Sequence, residues 1–295
     1  MTDPTATQTF QVGDLTISRI PEAQLTAFAP AALLPRWDAE RIQEHLSWLI
    51  PGSLDEAGRH LILSTHAWLV KSPEHTILID AGIGNDKLRA APIFNQLRTP
   101  FLERLQEAGA SPDDIDIVLL THLHTDHVGW NTRLDEGQWV PTFRNARYVF
   151  SGIEYEALNT LSQSGGDPRG FFEDSVQPIV AAGQAQLVAS GQPALIDNLT
   201  LHSTPGHSTD HWSISLSSRG ETAFFAGDVM HHPVQIYQPT WSSVFCPSPE
   251  DAQKSRMWAL QFAADNDALV FSSHFTGSSA GRVRQGGRGY SWQFD

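Results

Sequence analysis

A single cysteine, Cys246, is all the thiol this chain carries. No internal disulfide can form, and a metal site built from several cysteines is excluded. One free thiol fits a reducing cytoplasm, which is the expected compartment. Basic residues are also scarce, 19 against 33 acidic ones, for a formal net charge of −14. Such a balance argues against a nucleic-acid backbone or an anionic membrane as partner. It leaves open a small anionic substrate, because bound dications reverse the local field. No apolar run approaches the length that spans a bilayer. Met1 to Phe10 has neither a basic start nor an apolar centre, so no secretory signal is expected. Low-complexity tracts and short repeats are absent from the sequence as well.

Histidine, by contrast, is abundant at 13 residues. Three of them and one carboxylate fall within the stretch Thr121-His-Leu-His-Thr-Asp-His127, directly after the apolar run Ile115–Leu120. That run reads as a buried strand that ends in a loop. Alternation along an extended segment lets His122 and His124 point the same way, with Asp126 and His127 at the turn. Neutral imidazole and carboxylate are the usual ligands of zinc and similar divalent ions.

Other strand ends repeat the theme. Thr76–Ala81 closes in Asp80-Ala-Gly-Ile-Gly84, Leu201–His207 puts a histidine after Pro205-Gly206, Thr222–Asp228 ends in Gly-Asp, and Ala268–His274 ends in histidine. Ligands in α/β layers gather beyond the carboxyl ends of strands. His122, His124, Asp126, His127, His207, Asp228 and His274 are too many donors for one tetrahedral ion. They suit two metals that share a carboxylate, and Asp228 is the natural bridge. Two such ions can polarise a carbonyl or phosphoryl oxygen and hold an acidified water, so no side-chain nucleophile is needed.

Around these motifs the periodicity gives an α/β chain read as one domain, 1–295, with an N-terminal strand and helical arm over 1–60 and a catalytic core over about 61–280. Strands are expected at Phe10–Ile20, Leu61–Lys71, Ala146–Ser151 and near 194–203, 212–217, 222–227 and 268–273. Helices are expected at Asp38–Leu49, with Asp38 as N-cap, and at Phe101–Ala108, Glu154–Leu161 and Pro249–Ala264. Trp130 to Arg144 shows no clear period and reads as a loop, and Gln163–Gly170 reads as a flexible linker. The arm is either a packing element, a cap over the site or a dimer contact.

The ordered set of Asp80-Gly82, His122-Leu-His124-Thr-Asp126-His127, Pro205-Gly-His207, Gly227-Asp228 and His274 resembles the metallo-β-lactamase superfamily over roughly residues 60–280. The resemblance implies a four-layer αββα sandwich. It assigns His122, His124 and His207 to one metal and Asp126, His127 and His274 to a second, with Asp228 shared and Asp80 supporting a ligand. Two divalent ions are implied, zinc first, with manganese, iron or cobalt as alternatives. The implied activity is hydrolysis of a small ester or lactone by a hydroxide held between the ions, with Asp126 passing a proton to the leaving group. Phosphotriester hydrolysis is the alternative, and iron-dependent thiol or oxygen chemistry a more distant one. True β-lactamases of this superfamily often place a cysteine among the ligands, and Cys246 does not align with that position. Homoserine-lactone hydrolases of the superfamily place a tyrosine three residues after the bridging aspartate, where this chain has His231. The chain is thus more similar to the methyl-parathion-hydrolase-like branch. His231 is a candidate hydrogen-bond donor to the oxyanion. His211 reads as structural, His66 and His75 as strand and turn residues, and Trp130 and Trp241 as pocket candidates. A small-molecule substrate is expected, with no nucleic acid or membrane, and a homodimer is compatible with the apolar arm.

Overall fold

The computed structural model describes residues 7–165, 169–189, 196–287 and 289–295. The expected linker Gln163–Gly170 and the start of the strand near 194 lie partly outside these residues. The described strands are β1 (Gln8–Val12), β2 (Leu15–Phe28), β3 (Leu61–Lys71), β4 (Thr76–Ile79), β5 (Ile117–Leu119), β6 (Thr132–Asp135), β7 (Gln138–Pro141), β8 (Arg147–Ser151), β9 (Ala185–Val188), β10 (Leu199–Ser203), β11 (Trp212–Ser218), β12 (Glu221–Gly227), β13 (Leu269–Ser272), β14 (Ala280–Gly286) and β15 (Gly289–Phe294). The longer helices are α1 (Phe101–Glu107), α2 (Gly152–Gln163) and α3 (Pro249–Asp265).

One sheet runs β1-β2-β3-β4-β5-β8-β9 and a second runs β10 to β15 in chain order. Both are mixed. In the first, β4, β5, β8 and β9 pair in parallel, while β3 and β4 are antiparallel. In the second only β12 and β13 are parallel. The parallel strands β5 and β13 are wholly buried, which is why they read in sequence as unbroken apolar runs.

The chain divides into two compact units. One takes the described parts of Thr5–Ala23 and Thr65–Gln192. Its core joins Phe101 and Leu105 of α1 to strand residues Leu69, Leu78, Val118, Tyr148 and Phe150. The other takes Gln24–Ser64 and the described part of Pro193–Asp295. There α3 buries Ala259, Leu260 and Ala263 against Phe224, Val270 and Val283.

Three local expectations give way. The first strand is a hairpin, broken at Gly13-Asp14, and β2 continues through Pro21 to Phe28. The helix expected over Asp38–Leu49 is reduced to a 3-10 turn at Gln43–His45 followed by Leu46–Leu49. Asp38 Oδ1 accepts from the backbone N–H of Glu40, closing a local turn where an N-cap was expected. Of the apolar face expected from Ile42, Leu46 and Ile50, only Ile42 is buried, while Leu46 and Ile50 are half-buried and Leu49 is buried instead. The loop expected over Trp130–Arg144 holds the β6–β7 hairpin, whose turn residues Glu136 and Gly137 both take positive φ, 47° and 81°. Two left-handed turn residues match the right-handed twist of a tight hairpin.

The arm packs on one segment of its own unit. Val244 N–H donates to Leu33 O at 2.9 Å and an Arg36 guanidinium N–H to Thr240 O at 3.2 Å. Trp37 tilts over Trp241 with centroids 5.7 Å apart, and Phe28 meets Phe245 edge-on at 5.8 Å. Ring contacts onto the buried Trp241 and the exposed Phe245, rather than helix formation, fix this arm.

Candidate metal centre

Each unit gathers one set of imidazole and carboxylate groups. In the unit holding β5, that strand delivers Thr121, and the chain stays extended to His124 before turning over Thr125–Val128. His122 Nε2 and His124 Nδ1 lie 3.0 Å apart, and the His122 and His127 ring centroids 4.1 Å apart. Asp126 Oδ1 is 4.0 Å from His127 Nε2. His122 and His127 are buried, while His124 and Asp126 are half-buried.

Two carboxylates and a guanidinium hold this loop. Asp80, in the left-handed region at φ 58°, accepts from the Thr121 N–H and from His127 Nδ1–H, each at 2.8 Å. A carboxylate on the far nitrogen fixes the ring's tautomer, leaving the lone pair on Nε2. Glu154 Oε2 accepts from the Leu123 N–H at 2.7 Å, between His122 and His124. Arg89 Nε–H donates to Thr125 Oγ1 at 2.8 Å while its other nitrogens grip Asp174 at 2.6 and 2.8 Å. Beside that pair the buried Lys87 sits over the Trp139 ring, and burial pulls its ammonium down to about 7.

Glu22, on β2, completes the frame. It accepts from the N–H groups of Ile83 and Gly84 at 2.6 and 2.9 Å and from Trp130 Nε1–H at 2.7 Å. Burial pushes its carboxyl up to about 7, against the opposing pull of those donors. Trp130 stacks on Phe101 with centroids 5.3 Å apart and only 13° between planes. It is therefore a core residue that ties Glu22 to the loop, and the pocket expectation for it does not hold.

In the other unit, Asp228 follows β12 and His274 follows β13, while His207 lies beyond β10. Their Nε2 atoms stand 3.2 Å (His207) and 3.1 Å (His274) from Asp228 Oδ2. His274 Nδ1–H donates to the carbonyl of Ser64 at 3.0 Å. A carbonyl can only accept, so the neutral ring presents its Nε2 lone pair to a carboxylate oxygen. Two acceptors that close repel unless a proton or a metal cation lies between them. This donor set fits a divalent metal.

His211 positions the aspartate: its Nδ1–H bonds Thr204 Oγ1, and its Nε2 accepts from the Asp228 N–H, both at 2.8 Å. Gly227, at φ 57°, allows that approach, since a Cβ there would lie 2.5 Å from His211 Nε2. His211 is structural, as the sequence suggests. His232 is too: it is fully buried, its Nε2–H bonds Ser53 O at 2.9 Å, and burial pulls its imidazole down to about 4. His66 is buried edge-on to Trp68, and His75 lies in the β3–β4 turn. His231 is buried, with Nε2 3.4 Å from Asp228 Oδ2 and its ring parallel to that of His274. Trp241 is buried under Trp37.

Every candidate ligand thus stands in one of two sets, His122, His124, Asp126 and His127 in one unit and His207, Asp228 and His274 in the other. Glu22, Glu154 and Arg89 went unnoticed in the sequence. Only Glu154 carried a local signal, the Ser151-x-x-Glu154 spacing, and that signal points to a helix cap.

Comparison with known proteins fits this arrangement. The N-acyl homoserine lactonase AiiB of Agrobacterium fabrum is 30% identical over 105 residues, covering 32% of this chain and 38% of that protein. The acyl-coenzyme A thioesterase MBLAC2 of Gallus gallus is 29% identical over 185 residues, 60% of this chain and 61% of that one. The chain therefore spans less than two thirds of the length of these relatives. Among solved structures, the dizinc quorum-quenching lactonase AidC superposes with a TM-score of 0.78 at 22% identity, covering 99% of both chains, a likeness of fold. No helix among the described residues is long and apolar enough to cross a membrane. The Metallo-beta-lactamase superfamily matches residues 62–274, a span that takes in Asp80 and all seven candidate ligands, and the chain belongs to that superfamily.

Proposed function

We propose that this protein is a metal-dependent hydrolase that opens a small ester or lactone. The observation that carries the reading is His274: its Nδ1–H is committed to Ser64 O, so in the neutral ring the Nε2 lone pair faces Asp228 Oδ2 at 3.1 Å, a donor pair suited to a cation. His122, His124 and His207 would hold one divalent ion, Asp126, His127 and His274 a second, and Asp228 would serve both. Zinc suits such imidazole and carboxylate donors, and manganese, iron and cobalt are the alternatives. When bound, the ions supply Lewis acidity toward a carbonyl oxygen and lower the pKa of water to near neutrality.

The chain's own residues do the rest. Asp80 on His127, Thr121 Oγ1 at 3.0 Å from His122 Nδ1, and Ser64 O on His274 fix which imidazole nitrogen keeps its lone pair. Asp126, the more exposed of the two ligand aspartates, takes up the proton of the attacking water on its carboxylate and returns it to the leaving alkoxide. Burial of His207, Asp228 and His274 excludes bulk water from competing for the ions. The similarity to a lactonase and to a thioesterase supports attack on an acyl carbonyl. Phosphotriester hydrolysis is the second reading, favoured by His231 in place of the tyrosine of homoserine-lactone hydrolases. The acidic chain suits a small neutral substrate over a nucleic acid or an anionic membrane, and the free Cys246 suits a cytoplasmic setting. A homodimer through the arm remains part of the proposal.

The test compares a γ-lactone, an aryl acetate and an aryl phosphotriester on metal-reconstituted protein, alongside Asp228→Ala and His207→Ala. Wild type should turn over the lactone or the acetate fastest, and both variants should lose turnover. Near-wild-type turnover in either variant, with metal content verified, would sink the assignment.

A further inference from the structure

We infer that His231 is an additional inner-sphere ligand of the metal that His207 and Asp228 hold, rather than a hydrogen-bond donor to substrate. The inference rests on the metal-centre reading above and extends its ligand set by one imidazole.

Four observations within one unit converge. His207, Asp228 and His231 each offer a ligand atom, all within 4.8 Å of one another and all buried. The Nε2 atoms of His274, His207 and His231 stand 3.1, 3.2 and 3.4 Å from the same oxygen, Asp228 Oδ2. Two donors at zinc–nitrogen and zinc–oxygen lengths on one tetrahedral ion are separated by roughly 3.3 Å, so His231 sits at ligand spacing like its two neighbours. Nδ1 of His231 has no hydrogen-bond partner among the described residues, and its Nε2 faces only Asp228 Oδ2, although the side chain is only 3% exposed. A cation on Nε2 would offset the desolvation cost of that buried nitrogen better than the long contact to the carboxylate does.

Ring orientation separates the two roles. A donor to substrate needs an N–H turned toward the reacting carbonyl. Instead His231 lies parallel to His274 within 7° at 5.5 Å, with His207 4.9 Å away on centroids, and its Nε2 is turned toward the carboxylate the other two share. Its backbone is fixed as well: the N–H groups of His231 and His232 both donate to Gln235 Oε1, at 2.7 and 3.1 Å. Gln235 in turn donates from Nε2 to Trp241 O at 2.8 Å, so the ring is carried by the segment on which the arm packs. An extra neutral imidazole would tighten this ion's hold and favour a first-row divalent metal over magnesium or calcium, which prefer oxygen donors.

The deciding experiment counts histidine ligands directly. In the cobalt(II)-loaded protein each coordinated imidazole contributes one strongly shifted, exchangeable ring N–H proton signal. His122, His124, His127, His207 and His274 would give five, and His231 a sixth. His231→Gln should lose one signal and weaken binding of cobalt or zinc by at least roughly tenfold in a chelator competition. Five signals in wild type, or a His231→Gln protein that keeps the wild-type count and affinity, overturns the inference. A fall in kcat with count and affinity unchanged does so too, and returns His231 to substrate. The wild-type count decides the matter even if the variant fails to fold. A wild-type protein that takes up no metal would instead overturn the metal-centre reading itself.

Discussion

The loop bearing His122 and His124 is held at its midpoint by a residue from a different element, and replacing that residue measures what the hold is worth. Glu154 stands in the first turn of α2, where Ser151 Oγ accepts from its N–H at 3.1 Å. Its carboxylate reaches away from that cap to the Leu123 N–H. Leu123 is 2% exposed, so water cannot replace the lost acceptor. Glu154→Leu leaves a buried N–H unsatisfied, which costs roughly 1–3 kcal/mol, and removes a bond to a charged acceptor worth about 1.5–3 kcal/mol. The two figures describe one interaction and are not summed. A net loss of about 2 kcal/mol is expected in urea unfolding, close to a thirtyfold change in the folding equilibrium. Glu154→Gln keeps an oxygen in place and should lose less than half of that. Because the pinned N–H lies between two ligands, Glu154→Leu should also weaken zinc binding by about 10–100-fold, the range typical of residues that orient ligands. The measurements are the unfolding midpoint at constant slope and a competition titration with a coloured chelator. If Glu154→Leu unfolds within about 0.5 kcal/mol of wild type and binds zinc equally well, the pin does not hold the loop.

Two further perturbations follow from the same geometry. His232 is held neutral, its imidazole pulled from 6.5 down to about 4, so the unfolded chain binds the proton more readily. Its contribution is present above pH 6.5 and is lost as pH falls toward 4, on the order of 3 kcal/mol at most. In chelator-treated protein the stability of His232→Gln should fall less than that of wild type across this window, and parallel pH profiles would refute the assignment. Gly227→Ala should lower stability by about 1–3 kcal/mol, since it strains a φ of 57° and drives a methyl into His211. It should also loosen zinc, because the displaced His211 releases the Asp228 N–H. A wild-type melting temperature in Gly227→Ala would show that the contact yields.

Residues whose role depends on their own strand were legible in the sequence. Asp80, His122, His207, Asp228 and His274 all stand just beyond strand-like runs or turns, and an ordered series of such ends is visible without knowing how the strands pair. Residues whose role depends on a distant partner were not. Glu22 acts on a loop 61 positions away, and Arg89 on Thr125 36 positions away. Trp130 misled for the same reason: its indole N–H is satisfied by Glu22, which nothing in its own neighbourhood announces. The arm's helix failed because Asp38 had two local uses, and the turn won. His231 stood out in the sequence for replacing a tyrosine, but spacing alone could not say which way its ring faces.

The loop after β4 and the turn after His127 meet backbone to backbone. Gly129 N–H donates to Gly82 O at 2.8 Å, and a Cβ on Gly129 would fall 1.8 Å from Ile83 O. One on Gly84 would fall 2.7 Å from the Gly129 carbonyl carbon. Neither glycine contributes an atom to the reaction, yet neither has room for any other side chain. In a survey of random variants, Gly84 and Gly129 should rank as intolerant as the candidate ligands. Intolerance around this candidate centre thus maps the seam along which two chain segments touch as much as the candidate ligands, and a designer altering the site must leave that seam alone.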